Sequence, residues 1–337
     1  MSSPLLLFYL GFIVTILVIA ALFFMRRILL RRGLISRSLN QELLLVRFTL
    51  EPPDEKNSQL QQIREKIALM EQFYTNLHAV KDSGFNSFLY GKPTFALELT
   101  IPHVGEEVSF YVAVPRKLAS AVEKVIQGIF PEAQIEKARD YNVFNPEGAS
   151  VGAYVKLAID KFYPVRTYQK LEGDPMKELA NIFTKLAKEG EGAALQIIAR
   201  PANTKWRRKL KQHAKDRYQG KHVSRNPLSQ VMQVVGEVVG VTGTQDEKER
   251  MQKLQDPKRL TPLQEEIVKG LEQKAGKALF EANIRLIASA PTEDRAEGIL
   301  RGLAVAFEQF TDPNSNSFKV VEVSRRSLKN LFFAFSF

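Results

Sequence analysis

The opening of the chain differs in pattern from everything after it. From Pro4 to Met25 no position is charged, and Leu, Ile, Val, Phe and Ala dominate. About 20 such residues in a helix cross a hydrocarbon core, so the stretch predicts a transmembrane segment. Beyond it, apolar positions recur with the periods of water-exposed elements. QELLLVRFTLE, from Gln41, is apolar and β-prone and is halted by Pro52-Pro53, which predicts a strand and a break. Leu60, Ile63, Ile67, Met70, Tyr74 and Leu77 fall three and four apart, one apolar stripe on a core-facing helix. PTFALELTI from Pro93 and VSFYVAV from Val108 flank a turn at Gly105 and predict an antiparallel hairpin. Pro115 then opens a helix with Leu118, Ala121, Val122, Val125 and Ile126 on one face, and Ala133 to Ile135 supplies a short strand.

The same grammar returns. Tyr154 to Ile159 reads as a strand, Asp174-Pro175 opens a helix to about Lys188, and Ala193 to Ala199 closes the unit as a strand. Thr261-Pro262-Leu263-Gln264 is a capping box for a helix to Lys274, which Gly276 is expected to cap, and Ala278 to Ser289 follows as a strand. Thr292 caps a further helix whose Ile299, Leu300, Leu303, Val305, Ala306, Phe307 and Phe310 are placed to face a sheet. The fold class expected is α+β: an N-terminal transmembrane helix followed by repeated antiparallel-sheet-plus-helix units, similar in shape to split ferredoxin-like modules. No residue-level repeat accompanies this. Between the units, residues 203–260 have a different composition: a dense basic run, the weakly apolar Pro227 to Val241, and a charged stretch to Leu260 that reads as a loop. The divisions expected are an anchor and basic juxtamembrane segment at 1–37, an α+β domain at 38–202, a basic arm and loop at 203–260, and a second, truncated α+β unit at 261–337.

Charge sharpens the picture. Lys plus Arg outnumber Asp plus Glu by 48 to 37 over 337 residues, a net +11, which favours anionic partners such as nucleic acid or acidic lipid. Arg26, Arg27, Arg31 and Arg32 follow the apolar stretch directly. The positive-inside rule places them, and the body, in the cytoplasm. No basic residue precedes the apolar run, and bulky Phe23, Phe24 and Met25 close it, unlike a cleaved signal peptide. A single-pass protein of the cell's inner membrane is therefore expected. Hydrophobic residues at 45% and charged residues at 25% are ordinary for a globular body.

Candidate chemistry is concentrated in one segment. Lys205, Trp206, Arg207, Arg208, Lys209, Lys211, Lys215 and Arg217 combine phosphate-neutralising cations with an aromatic face on which a base could stack. A solvated helical arm, or one lying on anionic lipid, explains the same residues. The chain has no cysteine, which excludes thiolate nucleophiles and Cys-ligated zinc. Its four histidines, at 78, 103, 213 and 222, have no metal-binding spacing, and neither a metal nor a cofactor is expected. The nearest approach to a phosphate-binding loop, Gly270 to Ala278, has five residues between its glycines where four are required, and Ala278 stands where Ser or Thr would hold magnesium. Asp54, Glu55, Glu106 and Glu107 sit beside turn signals and read as surface charge.

The order of segments resembles the N-terminal region of membrane-anchored type IV secretion coupling-type proteins. The residues that carry the likeness are the anchor with Arg26-Arg27, YGKPTFALELTIPHVGEEVSFYVAVPRK from Tyr90, ARPANTKWRRKLKQHAK from Ala199, and EANIRLIASAPTEDRAEGILRGL from Glu281. The resemblance implies a lead-in to a RecA-like, hexameric DNA-pumping ATPase. Here LFFAFSF from Leu331 stands before any ATPase domain. The expectation is either a fragment of a longer protein or a terminal run that pairs into a sheet beside a motor on another chain. The function expected is thus a non-enzymatic, membrane-anchored module of a DNA-translocation machine that docks partners and guides DNA. Its expected partners are the membrane, single-stranded DNA, a separate or fused motor ATPase and further copies of itself. The alternative is a membrane-tethered cytoplasmic scaffold with no nucleic-acid role.

Overall fold

In a computed structural model, described for residues 4–39, 41–48, 59–80, 92–104, 107–171, 173–187, 189–219 and 261–336, the apolar opening forms one helix, α1 (Pro4–Leu39). Its stretch Gly11–Leu29 is long and apolar enough to cross a membrane. None of those side chains is buried, and all but that of Leu29 are exposed. Past α1 the chain alternates strands and helices: β1 (Gln41–Phe48), α2 (Gln59–Ala79), β2 (Phe95–Ile101), β3 (Ser109–Pro115), α3 (Ala119–Ile129) and β4 (Ala133–Lys137). Then come β5 (Ala149–Leu157), α4 (Met176–Phe183), β6 (Gly192–Pro201), α5 (Thr204–Tyr218), α6 (Pro262–Gly276), β7 (Phe280–Ala290), α7 (Glu293–Val305), β8 (Phe318–Glu322) and α8 (Arg325–Ser336).

The strands form one eight-stranded sheet in the order β4-β1-β3-β2-β6-β7-β5-β8, with every neighbouring pair antiparallel. This order contains a symmetry that no sequence repeat announces. The first half runs β1-α2-β2-β3-α3-β4 and places its fourth strand beside its first and its third between first and second. The second half, β5-α4-β6-β7-α7-β8, has the same spatial order, with α5 and α6 inserted between β6 and β7. Each half thus runs strand-helix-strand-strand-helix-strand within one continuous sheet. The halves join through the second strand of each, β2 to β6, from Phe95 opposite Ala199 to Ile101 opposite Ala193. An expected division at residue 202 falls between β6 and β7, which are paired from Gly192–Ser289 to Pro201–Phe280.

One face of the sheet is covered by helices. Phe95, Leu97, Leu99 and Ile101 alternate toward it, as period-two patterning requires. Their partners Ala199, Ile197, Leu195 and Ala193 continue the same face across the seam. Over the first half, α2 and α3 bring Phe73, Leu77, Val122 and Ile126 onto Leu44, Val46 and Val114. Over the second, α4 and α7 bring Leu179, Phe183, Ile299 and Leu303 onto Val155, Leu195 and Leu286. Burying each such side chain contributes about 1.5–3 kcal/mol. Both N-caps expected of α6 and α7 form: Thr261 and Gln264 close a reciprocal capping box, and the Thr292 side chain accepts from the Arg295 backbone N–H.

Several boundaries differ from the sequence reading. The strand expected from Tyr154 begins at Ala149. The start of the strand is crowded, which selects glycine there: a Cβ at Gly148 would lie 2.2 Å from the Ala290 carbonyl oxygen, and one at Gly152 would lie 2.4 Å from Leu331. Helix α4 stops at Phe183, and short-range backbone bonds from Lys185 and Leu186 then turn the chain so that Leu186 enters the core. Gly276 is the last residue of α6 and not its cap; the cap is Lys277 in extended conformation. Val305 points away from the sheet and is exposed. Over its described residues the apolar run from Leu331 is no strand: Leu331 to Ser336 lie within α8, which lays Leu331 and Phe335 on the second face of the sheet, one helical turn apart.

Candidate cationic interface

Two features of the sequence become geometry here, the arginines of α1 and the basic run. Arg26 and Arg27 are exposed on α1; of Arg31 and Arg32 the helical backbone alone is described. The basic run folds as α5, seated by Leu210 and Ala214, which are buried against Leu271 and Ala275 of α6. Phe162 and Tyr163, from the loop after β5, close this small core. Asn316 holds that loop by donating to the Asp160 and Tyr163 carbonyls at 3.1 and 3.0 Å. Lys274 of α6 donates to the Lys161 carbonyl at 2.6 Å, and burial lowers the pKa of this ammonium. The helix carrying the cations is thus fixed from three sides of its inner face.

Its outer face is cationic throughout. Lys205, Arg207, Arg208, Lys209, Lys211, Lys215 and Arg217 are all exposed, and the one acid on α5 is Asp216. Asp216 accepts from Gln212 at 2.8 Å. Among the described residues no ion pair neutralises any of the seven cations. Nor does the helix need them where they stand. The Asn203 side chain caps the N-terminus by accepting from the Lys205 backbone N–H, and the first turn has no acid. Lys205 and Arg207 therefore sit at the positive end of the helix dipole, which costs stability.

The aromatic partner expected of this run is engaged already. Trp206 is half-buried; its ring carries the Lys161 ammonium 4.1 Å and the Lys209 ammonium 5.0 Å from its centroid and tilts against Phe162 at 6.2 Å. His213 stacks on Phe162 at 4.9 Å, and its pKa is lowered by burial and then by the Arg217 charge. Arg217 donates to the Tyr163 hydroxyl. The structure thus brings the basic residues together on one helix and turns Trp206 into packing. His222 and Arg225 lie outside the described residues, as do Asp54, Glu55 and Glu106. Gly270 to Gly276 is helical, and among the described residues no cluster of His, Asp or Glu suits a metal ion.

A second polar assembly escaped sequence reading. On the sheet face opposite the core helices, Tyr111, Glu98, Gln196, Arg285 and Tyr154 stand side by side on β3, β2, β6, β7 and β5. Gln196 donates to Glu98 at 2.7 Å and accepts from Arg285 at 2.9 Å. Tyr141, stacked on Tyr111 at 4.8 Å, donates to Glu98 at 2.6 Å. Burial raises the Glu98 pKa against these hydrogen bonds and the Arg285 charge, and burial together with the Glu98 charge raises that of Tyr141. Arg285 and Gln196 also donate to the Ala334 and Phe335 carbonyls, so this row caps the C-terminal end of α8, where a cation complements the dipole. Each of Glu98, Gln196 and Arg285 is a strongly polar residue flanked on both sides by apolar ones within its strand, and that was the available signal.

No curated protein matches the chain. Residues 55–332 match the family described as Domain of unknown function (DUF8128), a span that takes in most of both halves of the sheet, α5 and the buried polar row, and the chain belongs to that family.

Proposed function

We propose that this protein is a non-enzymatic, single-pass anchored module that holds its double-unit sheet at the cytoplasmic face of the inner membrane and docks partners there. The observation that carries the reading is the run of α1, apolar over Gly11–Leu29, then arginine-rich, and separated by one residue from β1. From Leu29 to Leu39 a helix rises about 15 Å, so the body is tethered close to the bilayer. The resemblance to type IV secretion coupling-type proteins supplies the machine, a DNA translocator whose motor is a separate or fused ATPase, with this module as its membrane-side platform. The seven exposed cations of α5, which have no ion pair among the described residues, fit a platform that meets an anionic surface.

Site-directed thiol labelling tests anchoring and orientation together, because the natural chain has no cysteine. A cysteine at Ser2 should react with a membrane-impermeant maleimide in intact cells, and one at Glu132 only after permeabilisation, with the protein resisting alkaline extraction. Alkaline release, or labelling of position 132 from outside, would contradict the reading.

A further inference from the structure

The sheet registers say where α5 stands relative to the anchor. Gln41, the first residue of β1, pairs with Pro115, the last of β3. Crossing the sheet at the same end, Phe95 pairs with Ala199 and Pro201 with Phe280. The end at which α1 delivers the chain is therefore the end at which β6 leaves into α5 and α6 returns into β7. From β1 to β6 is three strand spacings, roughly 14 Å, and α5 is about 22 Å long. Three further exposed cations without an ion pair among the described residues, Arg116, Lys117 and Lys161, belong to the same end.

We propose that this anchor-side end of the body, with α5 at its centre, binds the anionic headgroup surface of the membrane into which α1 inserts. The inference rests on the anchored reading above. Opposite the buried Leu210 and Ala214, Lys205, Arg208, Lys211 and Lys215 follow helical spacings of three and four and line the outward stripe. Charge complementarity selects phosphate, and placement selects lipid over nucleic acid: attraction is screened within about 8 Å at physiological salt, and the nearest extended phosphate surface to this end is the bilayer itself. The Trp206 ring, the one aromatic of the basic run beside which bases would be expected to stack, already packs against Lys161, Lys209 and Phe162.

The test uses the full chain reconstituted into vesicles of neutral phosphatidylcholine or of phosphatidylcholine with one third phosphatidylglycerol. An environment-sensitive fluorophore is placed at Gln212→Cys, in the middle of the stripe, or at Glu132→Cys, just before β4 at the far end of the sheet, where Ala133 pairs with Phe48. We expect the probe at 212 to brighten in the anionic vesicles alone and to dim again in high salt, with the probe at 132 unmoved. Each of Lys205, Arg208, Lys211 and Lys215 changed to Ala should weaken the contact about five-fold. Co-floating protein with a silent probe at 212, or equal responses at both positions, overturns the lipid contact alone. A response at 212 to added single-stranded oligonucleotide but not to phosphatidylglycerol overturns it in favour of nucleic acid. Failure to float with either vesicle overturns the anchored reading and this inference with it.

Discussion

Two sets of cations in this molecule live under opposite rules. Arg285 is buried mid-sheet, its Nη1 shared between Gln196 and the Ala334 carbonyl while its Nε has no hydrogen-bond partner among the described residues. The α5 cations are exposed, without an ion pair among the described residues, on a helix whose attachment rests on Leu210 and Ala214. A buried cation is retained because removing it strands its partners. An unpaired surface cation contributes little to the fold, and one at a helix N-terminus opposes it. The comparison separates charge that the fold uses from charge that is left over for a partner.

The comparison breaks first at Arg285. Arg285→Ala leaves Glu98, Gln196 and the end of α8 uncompensated and should cost about 3–5 kcal/mol, read by denaturant unfolding. A loss under 1 kcal/mol would put the buried row on the same footing as α5. Next is the side chain that seats α8 on the same face: Leu331→Ala, which empties the space over Gly152, should cost about 3 kcal/mol. Glu191 accepts from the Ala187 backbone N–H and, in a fork, from Arg295, which lowers its pKa. With Arg295 half-exposed, Glu191→Gln should cost only about 1 kcal/mol. That loss should disappear in acid, because a depressed carboxylate contributes above its unfolded pKa and ceases to contribute as pH falls through the folded one.

Glu98 should behave in the opposite sense. Its folded pKa is raised, so folding takes up a proton between the unfolded and folded values, and its contribution, full below the unfolded pKa, is lost as pH rises through the folded one. Unfolding midpoints against pH should therefore fall through the carboxylate range in the natural chain relative to Glu98→Gln; parallel profiles would show that the carboxyl is not desolvated. The smallest effect is expected on α5. Changing Lys205, Arg208, Lys211 and Lys215 together to Ala should leave stability within about 0.5 kcal/mol, or raise it as the dipole conflict at Lys205 is relieved.

How much of this was legible follows from what each signal depends on. The helix and strand periods are local, so the stripe from Leu60 to Leu77, the hairpin around Gly105 and the caps at Thr261 and Thr292 could be read from spacing. The strand order was not, because it depends on pairings between residues far apart, such as Glu98 with Gln196 and Gln196 with Arg285. The strand start at Ala149 was missed because close approach by Ala290 and Leu331 places glycines at 148 and 152, where the sequence shows no continuous β-prone run. The terminal apolar run suggested a strand, since seven residues are too few for its helical period to show, and the sheet face that receives Leu331 and Phe335 is built elsewhere in the chain. The basic run could be read as a cluster; that its tryptophan is spent on packing depended on Phe162 and Lys161, distant in sequence.

If α5 is charge held against the membrane, the single tryptophan, Trp206, reports it, because it lies on that helix. Acrylamide quenching of Trp206 fluorescence in the full reconstituted chain tests it most directly. Quenching should be weaker in phosphatidylglycerol-containing vesicles than in neutral ones and should recover in high salt; identical quenching in both vesicles would contradict the claim.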